Sequence, residues 1–321
     1  MIGKLRDWAR DLRKGARVSL DNQARLKKLE RRLDLLLPTP DLENHMGRCA
    51  IVSCVTDNFI GLGAVWLASL VETKSIPKDC EVVLLTDTIY APLSEKNRMV
   101  LREIYPKVQF HDLDTSFLSD DLVKRWTEGK QVKEKIDSSL PGKRSVYLKL
   151  SILRMSQFTA VLWMDSDMMV LRSIAGVFRL PADIAVVPVG SPSSFFGIDY
   201  GASKRGFNSG FMLVRERHLS MESFDKVVRM LNDKTHTSTQ DQSLLNAMWL
   251  GEQKMFLPHV YNWKIHKGAD HAFHDEALRS ARVIHFVAQS KWELLSASDL
   301  PVHVAFRRLM TDHRVPAIIT P

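Results

Sequence analysis

Cysteine is scarce in this 321-residue chain, which has only Cys49, Cys54 and Cys80. Three cysteines cannot form a disulfide framework, and no two of them are spaced as CxxC, so a reducing compartment is expected. There is no run of 18 apolar residues, and the first stretch, MIGKLRDWARDLRKGARVSL, has no apolar centre of the kind a signal peptide needs. Neither a membrane span nor ordinary secretion is expected, which points to the cytoplasm. Internal repeats and low-complexity tracts are missing as well. Hydrophobic residues make up 45% and charged residues 26%, enough apolar material for a full-sized core.

Net positive charge is also scarce over most of the length, although the whole chain carries +8. Residues 1–37 hold eleven Lys/Arg against five Asp/Glu, so the arm alone accounts for +6. Charge confined to one arm does not make a nucleic-acid surface, and no nucleic acid partner is expected. Within the arm, Leu26, Leu29, Leu33 and Leu36 repeat at coiled-coil spacing among Lys27, Lys28, Arg31 and Arg32. Leu5, Trp8 and Leu12 form a second apolar stripe among basic residues. Residues 1–40 therefore read as a basic helical arm, suited to peripheral contact with an anionic membrane or to self-association. Pro38-Thr39-Pro40 ends it.

Beyond the arm, short apolar runs alternate with helical patterns. AIVSCV (50–55), EVVLLT (81–86) and VQFHD (108–112) read as strands, with helices over about 62–72 and 92–104 between them. A polar stretch over 114–145 precedes a mostly apolar helix, SVYLKLSILRMSQF, and then the strand AVLWM (160–164). Apolar runs at 184–189 and 209–214 continue the pattern. Strand and helix in alternation predict an α/β domain with a doubly wound, mostly parallel sheet over 47–300, followed by a C-terminal tail at 301–321.

The segment VLWMDSDMMVL carries the chemistry. Asp165 and Asp167 stand two apart, just past a buried-looking strand, so extended backbone sends both carboxylates to one side. Ligands bind at that end of an open α/β sheet, and two carboxylates there can share a divalent cation with a diphosphate. Lys149 interrupts an otherwise apolar helix, so its ammonium either enters a cleft or snorkels to the surface; we place it in the cleft. Arg144, one turn earlier, is a second candidate cation, the alternative being a solvated surface arginine. His266, His271 and His274 fall within HKGADHAFH, which reads as a solvent-facing loop near an acceptor rather than a second metal site.

Six ordered motifs over about residues 49–293 resemble glycosyltransferase family 8, the glycogenin and galactinol-synthase group. They are Thr56-Asp57-Asn58-Phe59 after the first strand, YLKL with Lys149, MDSD, FNSG (207–210), DQSLLN (241–246) and HFVAQSKW (285–292). The last departs from the family pattern: a glycine is replaced by Ala288 and the proline before Trp292 is missing. A methyl group at Ala288 restricts close approach of backbone to a diphosphate.

The resemblance implies a nucleotide-sugar (GT-A-like) fold and retaining transfer of a hexosyl unit from a nucleotide sugar, a UDP-sugar by the family's habit, to an acceptor hydroxyl. It implies Mn²⁺ (or Mg²⁺) held by Asp165, Asp167 and His285, and oxygen and imidazole ligands suit such an ion. It places Lys291 on the diphosphate and Lys149 near the nucleotide sugar. Thr56, Asp57 and Phe59 take the uridine, with Ser166 and Arg144 beside the nucleotide. Asn208, Ser209 and Gly210 face the sugar, while Asp241 and Gln242 hold its hydroxyls next to the reacting carbon. The expected acceptor is a carbohydrate, glycolipid or protein. Two other readings compete: a non-catalytic carbohydrate- or nucleotide-binding protein on the same fold, and a nucleotidyltransferase. The second would want a basic phosphate loop after the first strand, and TDNFIGLG has no basic residue.

Overall fold

The computed structural model describes residues 47–88, 92–113, 117–118, 141–190, 199–201, 206–232, 241–266, 268–287, 294 and 298–315; for 141–145 and 199–201 this is backbone alone. The basic arm, most of the 114–145 stretch, Ala288 and Lys291 lie outside the described residues, and so does the side chain of Arg144.

The first strand, β1 (Cys49–Cys54), is apolar and buried along almost its whole length, as a central parallel strand covered on both faces should be. It pairs in parallel with β2 (Cys80–Asp87) and β4 (Ala160–Met164), and β2 pairs in parallel with β3 (Gln109–Leu113). Helix α1 (Ile60–Glu72) is buried from Ile60 to Leu70, because it is packed on more than one side. Helix α2 (Glu95–Ile104) buries only Asn97 and Leu101 and turns the rest of its surface outward.

The remaining strands are β5 (Met168–Val170), β6 (Ile184–Pro188), β7 (Asp199–Gly201), β8 (Phe207–Arg215), β9 (Lys254–Phe256), β10 (Trp263–Ile265) and β11 (Val283–Phe286). The large sheet runs β3-β2-β1-β4-β8-β6-β9-β7, mixed but mostly parallel; a small one runs β10-β11-β5. Periodicity does not reveal that β8 is antiparallel to both β4 and β6. That reversal matters for the site. It lays the first residues of β8 against the last residues of β4, with Met164 opposite Phe211 and the Asp165 N–H donating to Gly210 O at 2.9 Å.

Lys149 is carried on a 3-10 helix, Pro141–Arg154, in place of the helix expected over 145–158. Tyr147, Leu148, Leu150, Ile152 and Leu153 bury its apolar side in the main core. Helices α3 (Met221–Asn232) and α4 (Asp241–Met248) cover the same region.

Two expectations near the end of the chain are corrected. The stretch with three histidines faces solvent only in part: His266 and His271 are exposed, but helix α5 (His271–Ser280) begins there, capped by Asp270 accepting from the Phe273 N–H at 2.8 Å. Its His274 is buried against His303. The expected tail contains helix α6 (Pro301–Asp312), which opens with proline and buries Val302, Phe306, Leu309 and Met310. Among the described residues no helix is long and apolar enough to cross a membrane.

Candidate functional site

The carboxyl end of β4, the start of β8 and the start of α4 meet at a cavity of about 310 Å³. Its wall includes Thr56, Phe59, Lys149, Asp165, Ser166 and Asp167 on one part, and Asn208, Ser209, Asp241 and Gln242 on another. Three segments far apart in sequence thus converge on one cavity.

The small sheet delivers the histidine. Strand β11 runs antiparallel to β5 with His285 opposite Met168, and the Phe286 N–H donates to Asp167 O at 2.9 Å. His285 therefore comes to lie beside the second aspartate. Its Nε2 is 3.2 Å from Asp167 Oδ1 and 3.8 Å from Asp165 Oδ2. One ligand atom from each of the three residues lies within 4.8 Å of the others. Oxygens bound to a common small cation at about 2.1 Å sit about 3 Å apart when adjacent, so this spacing fits one divalent ion. Gly210 supplies the room: a Cβ there would meet His285 Cε1 at 2.7 Å and Asp165 Oδ2 at 2.8 Å. The glycine expected at the sugar face clears the space beside Asp165 and His285.

The oxygens of Asp165 divide their work. Oδ1 accepts from Trp163 Nε1 at 2.8 Å and faces the Lys149 ammonium at 3.0 Å, which leaves Oδ2 turned toward His285. Lys149 is 5% exposed and also contacts Asp241 Oδ2 at 2.6 Å and Ser209 Oγ at 3.0 Å. Burial by itself pulls Lys149 down, but Asp165 and Asp241 together hold it well above the ordinary lysine value. Burial likewise pushes Asp241 up, and Lys149 and the Ser209 hydroxyl outweigh it, so the carboxylate stays ionised. The lysine enters the cleft and does not snorkel.

Gln242 and Asn208 are bonded to each other, Asn208 Nδ2 donating to Gln242 Oε1 at 2.8 Å. Asn246 anchors the helix behind them: it accepts from the Phe207 N–H at 2.8 Å and donates to Phe207 O at 2.9 Å, pairing α4 with the start of β8. Thr56 and Phe59 reach the cavity, but Asp57 does not line it. Asp57 Oδ1 accepts from Ser94 N, Ser94 Oγ and Asn97 Nδ2 at 2.7–3.0 Å, holding the start of α2. Cys54 lines the wall as a neutral thiol, pushed up to about 12 by burial and then by Asp165.

Sequence reading missed Trp163 and Asn262, and it gave no role to Asn246, the last residue of the DQSLLN motif. Trp163 has a local signal, being two residues before Asp165 on the same strand face. Asn262 has none. It is fully buried, its Oδ1 lies 2.9 Å from His285 Nδ1, and its Nδ2 donates to Asn208 Oδ1 at 2.7 Å.

Comparison with known proteins bears on the fold and the family. Solved structures that superpose on the chain include the galactosyltransferase LgtC in complex with donor and acceptor sugar analogues, at a TM-score of 0.56 and 15% identity, covering 82% of this chain and 95% of that one. The bifunctional glycosyltransferase WbbM in its apo form matches at a TM-score of 0.52 and 16% identity, over 85% of this chain and 52% of the other. GlyE of Streptococcus pneumoniae TIGR4 matches at 0.52 and 18%, over 81% and 59%. At such identities the likeness is one of fold. A curated relative, glucose N-acetyltransferase 1 of Gibberella zeae, is 27% identical over 113 residues, which is 35% of this chain and 23% of that protein. The chain thus spans less than a quarter of that relative's length. The family model described as glycosyl transferase family 8 matches residues 50–293, well over half of the sequence. The chain belongs to glycosyl transferase family 8.

Proposed function

We propose that the protein is a metal-dependent retaining glycosyltransferase that moves a hexosyl unit from a nucleotide sugar, UDP-linked as the family resemblance implies, to an acceptor hydroxyl. The observation that carries this reading is the Asp165, Asp167 and His285 trio beside a cavity that also holds Lys149, Asp241, Asn208 and Gln242. Mn²⁺ or Mg²⁺ held by the trio would supply Lewis acidity to a departing diphosphate.

The chain's own residues divide the remaining tasks. Thr56 and Phe59, which follow β1 and line the cavity, receive the base in this reading. Asn208, Asp241 and Gln242 receive the sugar hydroxyls, and Lys291, outside the described residues, is the cation for the diphosphate. Among the described residues Asp241 is the one motif carboxylate outside the trio that lines the cavity, so a covalent glycosyl intermediate would have to form on it. Its Oδ2 is engaged by Lys149 and Ser209, which favours its holding the sugar over its attacking it. We therefore favour front-face transfer. The bond from the anomeric carbon to the diphosphate oxygen breaks, the acceptor oxygen bonds to that carbon on the same face, and the acceptor's proton passes to the leaving phosphate. Gln242 lies beside the reacting carbon in this reading.

The acceptor is a carbohydrate, glycolipid or protein hydroxyl. The basic arm suits a glycolipid held at an anionic membrane face from the cytoplasmic side; removal of residues 1–40 should then release the protein from anionic vesicles. For the central reading, the test is calorimetric titration of UDP with and without Mn²⁺, followed by UDP release from a panel of UDP-sugars. Metal-dependent binding and turnover of one sugar nucleotide supports it. Absence of binding under both conditions refutes it.

A further inference from the structure

A metal-ligating histidine must present a lone pair, and which ring nitrogen does so depends on what the other one touches. In this chain a string of carboxamides reaches His285 from two backbone N–H groups that have no choice of orientation. The Gly210 N–H donates to Asn208 Oδ1 at 3.1 Å, so that atom is the oxygen of the amide. The Ser209 N–H faces Gln242 Oε1 at 3.4 Å, and the same oxygen accepts from Asn208 Nδ2 at 2.8 Å. Two separate anchors thus assign the same orientation to Asn208.

Asn208 Oδ1 takes a second donor, Asn262 Nδ2, at 2.7 Å, which fills both of its lone pairs. The amide of Asn262 is thereby fixed with nitrogen toward Asn208 and oxygen toward His285, whose Nδ1 is 2.9 Å away. An oxygen at that place accepts only from an N–H. Asn262 is fully buried and His285 nearly so, and a wrongly turned amide would leave two polar contacts unmade without water to replace them.

We infer that Asn262 is a positioning residue that holds the proton of His285 on Nδ1 and turns the lone pair of Nε2 toward Asp165 and Asp167, its own orientation being dictated by the Gly210 and Ser209 backbone through Asn208 and Gln242. The inference rests on the reading of Asp165, Asp167 and His285 as ligands of one divalent cation, and it gives Asn208 and Gln242 a second duty beside the sugar. Through Asn208 the sugar-facing turn and the metal ligand are parts of one hydrogen-bonded string.

The test reads the tautomer directly. Protein labelled with ¹⁵N-histidine is loaded with Mg²⁺ in the absence of nucleotide, and His285 is assigned by the signal lost in His285→Gln. Long-range ¹H–¹⁵N correlation should show its proton on Nδ1; a proton on Nε2 overturns the inference, whatever the variants do. Asn262→Leu should lose the fixed Nδ1–H signature and weaken Mn²⁺ binding, read by electron paramagnetic resonance, by about 10- to 100-fold. Asn262→Asp keeps an acceptor on Nδ1 and should restore the signature. Parent-like Mn²⁺ affinity together with a retained Nδ1–H in a folded Asn262→Leu protein also overturns it. Neither readout needs sugar transfer, so the role of Asn262 is decided even in a protein inactive on every UDP-sugar.

Discussion

The Lys149 ammonium lies 2.6 Å from Asp241 Oδ2, joining a 3-10 helix to the first turn of α4 across 92 positions of sequence. The same nitrogen is 3.0 Å from Asp165 Oδ1, so one cation ties a carboxylate of the proposed metal trio to the carboxylate proposed to hold the sugar. Removing it leaves two acidic groups facing each other in a buried place. Lys149→Met should lower unfolding free energy in urea by about 3–5 kcal/mol, the usual cost of stripping one partner from a buried pair. Adding Asp241→Asn should return part of that loss, since one of the stranded charges is then gone. A Lys149→Met protein as stable as the parent would show that the pair contributes nothing.

Gly210 is the position where a single methyl group should matter most. Its Cβ would sit 2.7–2.9 Å from His285 Cε1, Asp165 Oδ2 and Asn208 Oδ1, and two of those three atoms belong to the proposed ligand residues. Gly210→Ala should therefore spread the trio and lower Mn²⁺ affinity by about 10- to 100-fold, as disturbance of a ligand shell does. Calorimetric Mn²⁺ titration checks it, and an unchanged affinity would contradict the crowding argument.

Substitutions within the two carboxylate sites should separate their roles. Asp165→Asn and Asp167→Asn are expected to abolish transfer, a loss of about 10³-fold or more if the charge at the developing diphosphate is lost. Asp241→Asn should impair transfer strongly while leaving Mn²⁺ binding near that of the parent, because Asp241 is not in the trio. UDP-release rates and Mn²⁺ titration on the same three proteins make the comparison. Full activity in either of the first two would remove the basis of the proposed function.

How much of this is legible in the sequence follows the reach of each signal. Strands β1, β2 and β4 are readable within about a residue, because buried parallel strands leave short apolar runs. Asp165 and Asp167 are readable because their spacing is local, and Lys149 because a charge in an apolar helix stands out. Other features are set by contacts between distant segments. Nothing near Asp57 says that its carboxylate holds Ser94 and Asn97 instead of facing the cavity. Nothing near Asn262 says that it meets His285. The direction of β8 depends on a connection that no periodicity encodes. The helix at Pro301–Asp312 carries an interrupted apolar pattern that becomes meaningful once Phe306 is seen packed on Phe286.

Acid should weaken the fold before it titrates ordinary carboxylates. Burial pushes His259 down to about 4, with Lys264 adding to the effect, and burial lowers His303 and His218 as well. A histidine depressed in the folded state binds a proton more readily when unfolded. Its contribution is complete above the ordinary histidine value near 6.5 and is lost as pH falls toward about 4. For His259 the full traverse amounts to at most about 3 kcal/mol. Melting temperature should therefore fall between about pH 6.5 and 4.5, and His259→Leu should flatten that slope even though it changes the packing. An equal slope in both proteins would assign the acid sensitivity elsewhere.

The approach of α1 to the end of β1 frames the part of the cavity lined by Cys54, Thr56 and Phe59. A Cβ on Gly63 would lie 2.6 Å from Val55 Cγ2 and 2.9 Å from Cγ1, too close for a β-branched side chain with little rotamer freedom. Gly63→Ala should cost about 1–3 kcal/mol by overpacking, despite alanine's better helix propensity. Because Val55 sits between Cys54 and Thr56, which both line the cavity, the displaced strand end should also weaken UDP binding. Val55→Ala in the same chain removes the colliding methyls, so the double variant should be less destabilised than the sum of the two singles. Urea unfolding of the four proteins measures that coupling. Simple additivity would mean that the helix shifts away from the strand, and that the glycine is there for some reason other than closeness.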